Sequence, residues 1–293
     1  MTPSSHRSAS LAAAIALFGD SALYPILSAQ GSALGHGPIA IGVLLAANRF
    51  VRLALNRPIG RLVDRVGPRA PLVAAAAVAA LTTASYGAFS TRFAPFLASR
   101  LVWGLAWSIL RLAAYVAILE GDPGSRGARM GGFTSIARLG SLGGVLGGGW
   151  LADAIGFERT FFVLGAATLP AIVCGAVAFP PGPRPRAAPV ERRGGGLVAG
   201  EGAILLAGIA VAFAGHGLLV ASAGIRVKEL AQLALARGAA PEHVSAFASA
   251  AVAGRWIALI GFSATAGWLS DRIGRRAIAA VAGLATAAAT SAA

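Results

Sequence analysis

The chain alternates long apolar runs with short polar breaks. A membrane-crossing helix needs about 20 mostly apolar residues. Runs of that kind fall at approximately 9–30, 38–56, 71–90, 94–119, 129–152, 159–179, 201–224, 244–267 and 277–293. The pattern predicts a membrane helix for each. The last run is short and reaches Ala293 without a polar flank, so it reads as cut off. The first follows a basic start at Arg7, as a signal peptide would. It continues past Asp20 to about Ala29 with no clear small-x-small cleavage pattern, and reads as the first helix.

The longest polar break is PPGPRPRAAPVERRGGG, from Pro180 to Gly196. Its prolines, glycines and arginines form no packed core and predict an extended connector. The chain then divides into a six-helix bundle over 1–180, a cytoplasmic linker over 181–200 and a partial second bundle over 201–293. A smaller pattern occurs twice. GRLVDRVGPR runs from Gly60 to Arg69, and GWLSDRIGRR from Gly267 to Arg276. Each follows the second helix of its bundle. Both are expected to be tight loops, with Gly60 and Gly267 letting a helix end pack closely and Gly67 and Gly274 taking positive φ. Asp64 and Asp271 suit a helix N-terminus or an arginine of a neighbouring helix.

Composition sharpens the membrane reading. Of 293 residues, only 12% are charged, against about 25% in an ordinary soluble domain, and mean hydropathy is +0.72. Glycine is abundant, with 39 residues, as suits helices that approach closely in lipid. The net charge of +14 rests almost wholly on arginine. These arginines lie between apolar runs, which argues against nucleic acid and for topology set by the positive-inside rule. With the N-terminus in the cytoplasm, Arg7, the Arg57–Arg69 group, Arg126, Arg129, the linker arginines, Arg272, Arg275 and Arg276 share that side. The opposite side keeps only Arg92, Arg159, Arg226, Lys228 and Arg237. A single cysteine, Cys174, excludes an intramolecular disulfide and a cysteine metal cage.

A basic linker after six helices, with G-x-L-x-D-R-x-G after helices 2 and 8, resembles the major facilitator superfamily. Gly60, Leu62, Asp64, Arg65, Gly67 and Arg69 carry the first copy, and Pro68 departs from the family's basic residue. Gly267, Leu269, Asp271, Arg272, Gly274, Arg275 and Arg276 carry the second. The resemblance implies an all-α membrane bundle of six helices plus about three of a second six. It also implies that these segments form a cytoplasmic latch that breaks during the transport cycle. A complete second bundle would extend about 120 residues further. Arg100-Leu-Val-Trp-Gly104 is similar to the family's helix 4 pattern, whose arginine is associated with proton coupling. Gly143, Gly144, Gly147 and Gly148 resemble the helix 5 element of drug–proton antiporters, with Gly144 in place of proline. The same glycines also fit a plain helix-packing face.

Ionisable residues inside a span are costly and face cavities or partners. Asp20 lies near the middle of helix 1 and is the only carboxylate well inside a span of the first half. It reads either as a proton site or counter-ion, or as a salt-bridge partner of Arg49, Arg52 or Arg111. Arg49 and Arg111 suggest a positive cavity suited to an anion. Arg52 and Arg100 are placed to snorkel toward an interface. Arg138, His216 and Arg255 are further candidates, and Tyr24, Asn48 and Trp107 are candidate lining. No His or Cys spacing fits a metal, and no nucleophile–base or nucleotide-loop pattern occurs, so no cofactor, enzyme activity or ATP-driven step is expected.

These readings combine into a secondary transporter of the cytoplasmic (inner) membrane, with small-molecule solute, protons and the lipid bilayer as partners. Proton-coupled efflux of a drug-like or metabolite solute leads, on the helix 4 and helix 5 resemblances and Asp20. Uptake of an organic anion is the alternative, on the intramembrane arginines. A truncated, non-transporting membrane protein is the reading from another class.

Overall fold

The structure is a computed structural model that describes residues 4–180, Leu233 and residues 244–273. The predicted helices at 201–224 and 277–293, the linker over 181–200, His216, Gly274, Arg275 and Arg276 lie outside the described residues, as does the side chain of Arg255. Every element found among the described residues is helical. In chain order these are α1 (Ser4–Gln30), α2 (Pro38–Val66), α3 (Arg69–Ala88), α4 (Phe93–Leu119), α5 (Arg126–Ile155), α6 (Phe157–Thr168), α7 (Pro170–Ala178) and α8 (Val244–Ile273), with a single 3-10 turn at Pro123–Ser125 before α5.

Proline and glycine punctuate these helices. Pro38 and Pro170 stand in the first turns of α2 and α7, where the missing N–H has no intrahelical partner to lose. Pro58 sits inside α2, which bends by 49° between Arg52 and Leu55. A proline ring clashes with the carbonyl four residues before it, which places the break there. Gly67 ends α2 at φ 78° and Gly156 ends α5 at φ 83°, a left-handed conformation that glycine adopts without a Cβ penalty.

The repeated charged pattern differs from expectation. Gly60 to Val66 is the last part of α2, and Gly267 to Ile273 the last part of α8. The turn between α2 and α3 is only Gly67-Pro68. A helix satisfies its own backbone groups where a ten-residue loop would not, so extending α2 is the cheaper way to carry these charges to the membrane surface.

Among the described residues, four spans are long and apolar enough to cross a membrane: α1, α3, α4 and the pair α6–α7, with bent α2 as a fifth. Helices α5 and α8 are each 30 residues long, about 45 Å at 1.5 Å per residue. These two make the most extensive helix–helix contact among the described residues. A helix covered by protein along one face does not need a uniformly greasy surface, which accounts for their glycines, serines and arginines.

Helix α1 runs through the centre, packed on α5, α7, α4 and α6. Its alanines Ala9, Ala12, Ala13 and Ala16 are fully buried. Gly140, Gly144 and Gly148 of α5 meet Ala14, Phe18 and Ala22 of α1, one turn apart on each helix. A Cβ on Gly148 would lie 2.5 Å from Ala22 Cβ, and one on Gly144 would strike the Phe18 backbone. Of the predicted helix 5 glycines, Gly144 and Gly148 therefore form the seam. Among the described residues, Gly147 meets nothing nearby, and Gly143 makes only an ordinary contact with Phe18.

Gly144→Leu should disrupt the α1–α5 seam, whereas Gly147→Leu should be tolerated. Overpacking of a tight core costs about 1–3 kcal/mol. Thermal unfolding in detergent, followed by tryptophan fluorescence, should show a lowered midpoint for the first variant only.

Candidate functional site

A polar cluster joins α1, α2, α3 and α4 inside the bundle. Arg100 of α4 is fully buried, and its Nη1 donates to Asp20 Oδ1 of α1. The same nitrogen donates to Tyr86 Oη of α3 at 3.2 Å, and Nε donates to the Leu44 carbonyl of α2 at 2.9 Å. Asn48 Nδ2 of α2 donates to Asp20 Oδ1 at 3.3 Å. The Tyr24 ring lies 5.6 Å from Arg100 Cζ and 5.8 Å from Arg49 Cζ.

The sequence spacing explains how Arg100 reaches its partners. Gly104, one turn on, lets α4 approach the α2 backbone: a Cβ there would lie 2.6 Å from the Asn48 carbonyl oxygen. With the helices this close, the guanidinium finds acceptors within protein. Arg100 therefore does not snorkel, and it, rather than Arg49, Arg52 or Arg111, forms the salt bridge to Asp20. A low-dielectric interior holds a charge best beside its opposite, with remaining donors bonded.

The other interior arginines are half-buried. Arg52 lies within electrostatic reach of Arg111, Arg49, Tyr24 and Asp20. Arg111 Cζ is 5.9 Å from the Tyr115 ring, and Arg138 Cζ is 4.7 Å from the Trp256 ring of α8. Among the described residues, no carboxylate lies at salt-bridge distance from Arg52, Arg111 or Arg138. Trp107 stacks on buried Trp103 at 5.9 Å and 12°, a packing contact.

The charged repeats have different surroundings. Asp271 Oδ1 accepts from Gly127 N at 2.8 Å and Oδ2 from Ala128 N at 2.7 Å, so this carboxylate caps the N-terminus of α5. Gly267 lies directly against Gly127 and Gly131, the close approach expected of it. Asp64, Arg61 and Arg65 are exposed, and Gly60 has no neighbour within contact among the described residues. Arg69 Nε donates to the Ala176 carbonyl near the end of α7 at 3.1 Å. Arg272 lies over the Trp268 ring at 3.9 Å.

One well-placed residue was missed by the sequence reading. Asp153, near the end of α5, accepts from Ser245 N at 3.2 Å and Ala246 N at 2.8 Å, capping the N-terminus of α8. The signal was present. GWLADAIG, Gly149 to Gly156, matches GWLSDRIG, Gly267 to Gly274, in glycine, tryptophan, leucine, aspartate and isoleucine. Without the neighbouring arginines it did not stand out as a charged pattern.

Helices arranged in this way, with a buried ion pair inside and capping aspartates at both ends of a helix pair, suit a membrane bundle. The family model of the Major Facilitator Superfamily matches residues 9–293. The chain belongs to this superfamily. No curated protein matches it. As a superfamily member it is an all-α, multi-pass membrane protein and a secondary transporter of a small-molecule solute. The Asp20–Arg100 pair thus lies among the helices of a transporter.

Removing one member of a buried ion pair costs about 3–5 kcal/mol, because the other charge is left alone. Arg100→Gln should therefore destabilise this superfamily member strongly, and Asp20→Asn should lose less, since Arg100 keeps its carbonyl and tyrosine partners. The double variant Asp20→Asn/Arg100→Gln should recover part of the Arg100→Gln loss. Denaturant unfolding in lipid–detergent micelles reads all three.

Proposed function

We propose that the chain carries a small organic anion together with protons by alternating access between two helical bundles. The observation that carries this reading is the charge balance of the interior. Asp20, the one carboxylate well inside a described span, is already engaged by Arg100, while Arg52, Arg111 and Arg138 have no carboxylate at salt-bridge distance among the described residues. Each charged group at mid-depth costs about 2.5–3.5 kcal/mol, and an anionic solute offsets that cost where a cation would add to it. Drug–proton antiport is therefore less well supported than the sequence suggested: a cationic solute needs a free carboxylate, and Asp20 is occupied.

The coupling follows from the same pair. Protonation of Asp20 removes the counter-ion of Arg100 and makes the interior more positive by one charge. Proton and anion then favour each other's binding, which is the thermodynamic requirement for symport. Arg52, Arg111 and Arg138 would attract and orient the anion, and Tyr86 and the Leu44 carbonyl would hold Arg100 in place while Asp20 is neutral. The excess of arginine at the Arg57–Arg69 and Arg126–Arg129 ends supports placing the N-terminus in the cytoplasm, in a cytoplasmic (inner) membrane.

Proteoliposomes carrying the full chain, with an internal pH dye, test this against a panel of labelled carboxylates and lipophilic cations. Anion entry should acidify the interior in wild type. Asp20→Asn should break that coupling, and Arg111→Ala should weaken anion uptake about 10-fold or more, the equivalent of one lost charge-assisted contact. Exchange of a cation for protons, with no anion uptake, would support the antiport reading instead.

A further inference from the structure

We propose that Asp153 is a gating residue, the counterpart at one membrane face of Asp271 at the other. The proposal rests on alternating access and adds a residue and a mechanism to it. Each aspartate lies at the third position from the end of a 30-residue helix and accepts two backbone N–H bonds from the first turn of its partner. One constant offset relates Asp153 to Asp271, Gly127 to Ser245 and Ala128 to Ala246. The two clamps are thus equivalent under a local two-fold relation between antiparallel helices. The packing obeys it too: Gly149 lies against Ser245 and Ser249 as Gly267 lies against Gly127 and Gly131.

That offset also relates Arg138 to Trp256, which stack on each other at the helix crossing. Nearby, Ser135 Oγ donates to the Ile260 carbonyl at 2.8 Å. The middle of the pair is therefore tied by side chains, and each end is tied by a carboxylate on a helix N-terminus. The ends are about 45 Å apart, so they lie at opposite faces of the bilayer. With both clamps made, the pair is closed at both ends in this structure.

Rocking about the middle separates one end at a time. Opening the Asp153 end frees Ser245 N and Ala246 N, with the Gln30 Nε2 bond to Ser245 Oγ (2.9 Å) beside them. Opening the other end frees Gly127 N and Ala128 N. Water at the membrane surface replaces either set of bonds, so the clamps are reversible. Asp153 holds its own face shut and thereby favours states open at the opposite face.

Spin-label distances in lipid nanodiscs test this on the full chain in a Cys174→Ala background. One label pair, Ala154→Cys with Ala250→Cys, reports the Asp153 end; Gly132→Cys with Leu269→Cys reports the Asp271 end. Asp153→Asn places an amide NH2 against a backbone N–H and loses a bond to a charged acceptor, which should shift the population by about 10-fold or more toward the open distance at its own end. The other pair should not lengthen. Asp271→Asn should give the reverse. Ser245→Pro, which removes one donor and keeps the carboxylate, should reproduce the Asp153→Asn shift, and Ser245→Ala should not. An unchanged 154/250 distance in Asp153→Asn, with Asp271→Asn opening its own end, would overturn the role of Asp153 and leave rocking intact. Opening of both pairs together in either variant would mean that the helices part as a unit, and both the gate and the rocking motion would fall.

Discussion

A bilayer interior offers no water to solvate a charge or an unpaired backbone group, so the protein must satisfy each one where it lies. Three aspartates of this chain meet that constraint in two ways. Asp20 is neutralised by a side chain, Arg100, which in turn reaches a tyrosine and the backbone of α2. Asp153 and Asp271 are met by the backbone itself, through the N–H groups that every helix leaves open in its first turn. The first arrangement ties four helices into one unit. The second ties two helices at their ends, where water is close enough to take over when the bonds break.

Small residues make both arrangements possible. Gly104 brings α4 onto α2 so that a guanidinium spans the gap. Gly140, Gly144 and Gly148 seat α5 on α1, while Gly127, Gly131 and Gly149 seat it on α8. Helix α5 is therefore held on two faces by different sets of glycines. One face belongs to the fixed bundle. The other belongs to a partner whose contacts are short, polar at both ends and symmetric. That contrast is the physical basis for expecting motion between α5 and α8 rather than between α5 and α1.

Much of this was legible in the sequence. Among the described residues, length and hydropathy placed a helix at each predicted run, because the need for about 20 apolar residues leaves a strong signal, although α2 runs ten residues past its predicted end. The glycine–aspartate repeat drew attention to Asp271 and its affinity for a helix N-terminus. What pattern alone did not give was which charges meet. Arg100 was read as the helix 4 pattern's arginine, with snorkelling as a competing reading, because its place along α4 is known from sequence but its approach to α2 is not. That approach depends on Gly104 and on the register of two helices. Asp153 did not stand out because Ala154 is uncharged where the other copies carry Arg65 and Arg272. The extension of α2 and α8 through their charged ends was also missed, since Gly60 and Gly267 resemble turn residues when tertiary context is absent.

The account depends most on α5 and α8 running the full depth of the membrane, with Asp153 and Asp271 at opposite faces. Single cysteines at Ala154 and Arg272, each in the Cys174→Ala background, can be challenged with a membrane-impermeant thiol reagent on sealed vesicles of known sidedness. Each site should react from one side only, and the two sides should differ, with both reacting once the vesicles are permeabilised. Reaction of both sites from the same side of intact vesicles would contradict the account.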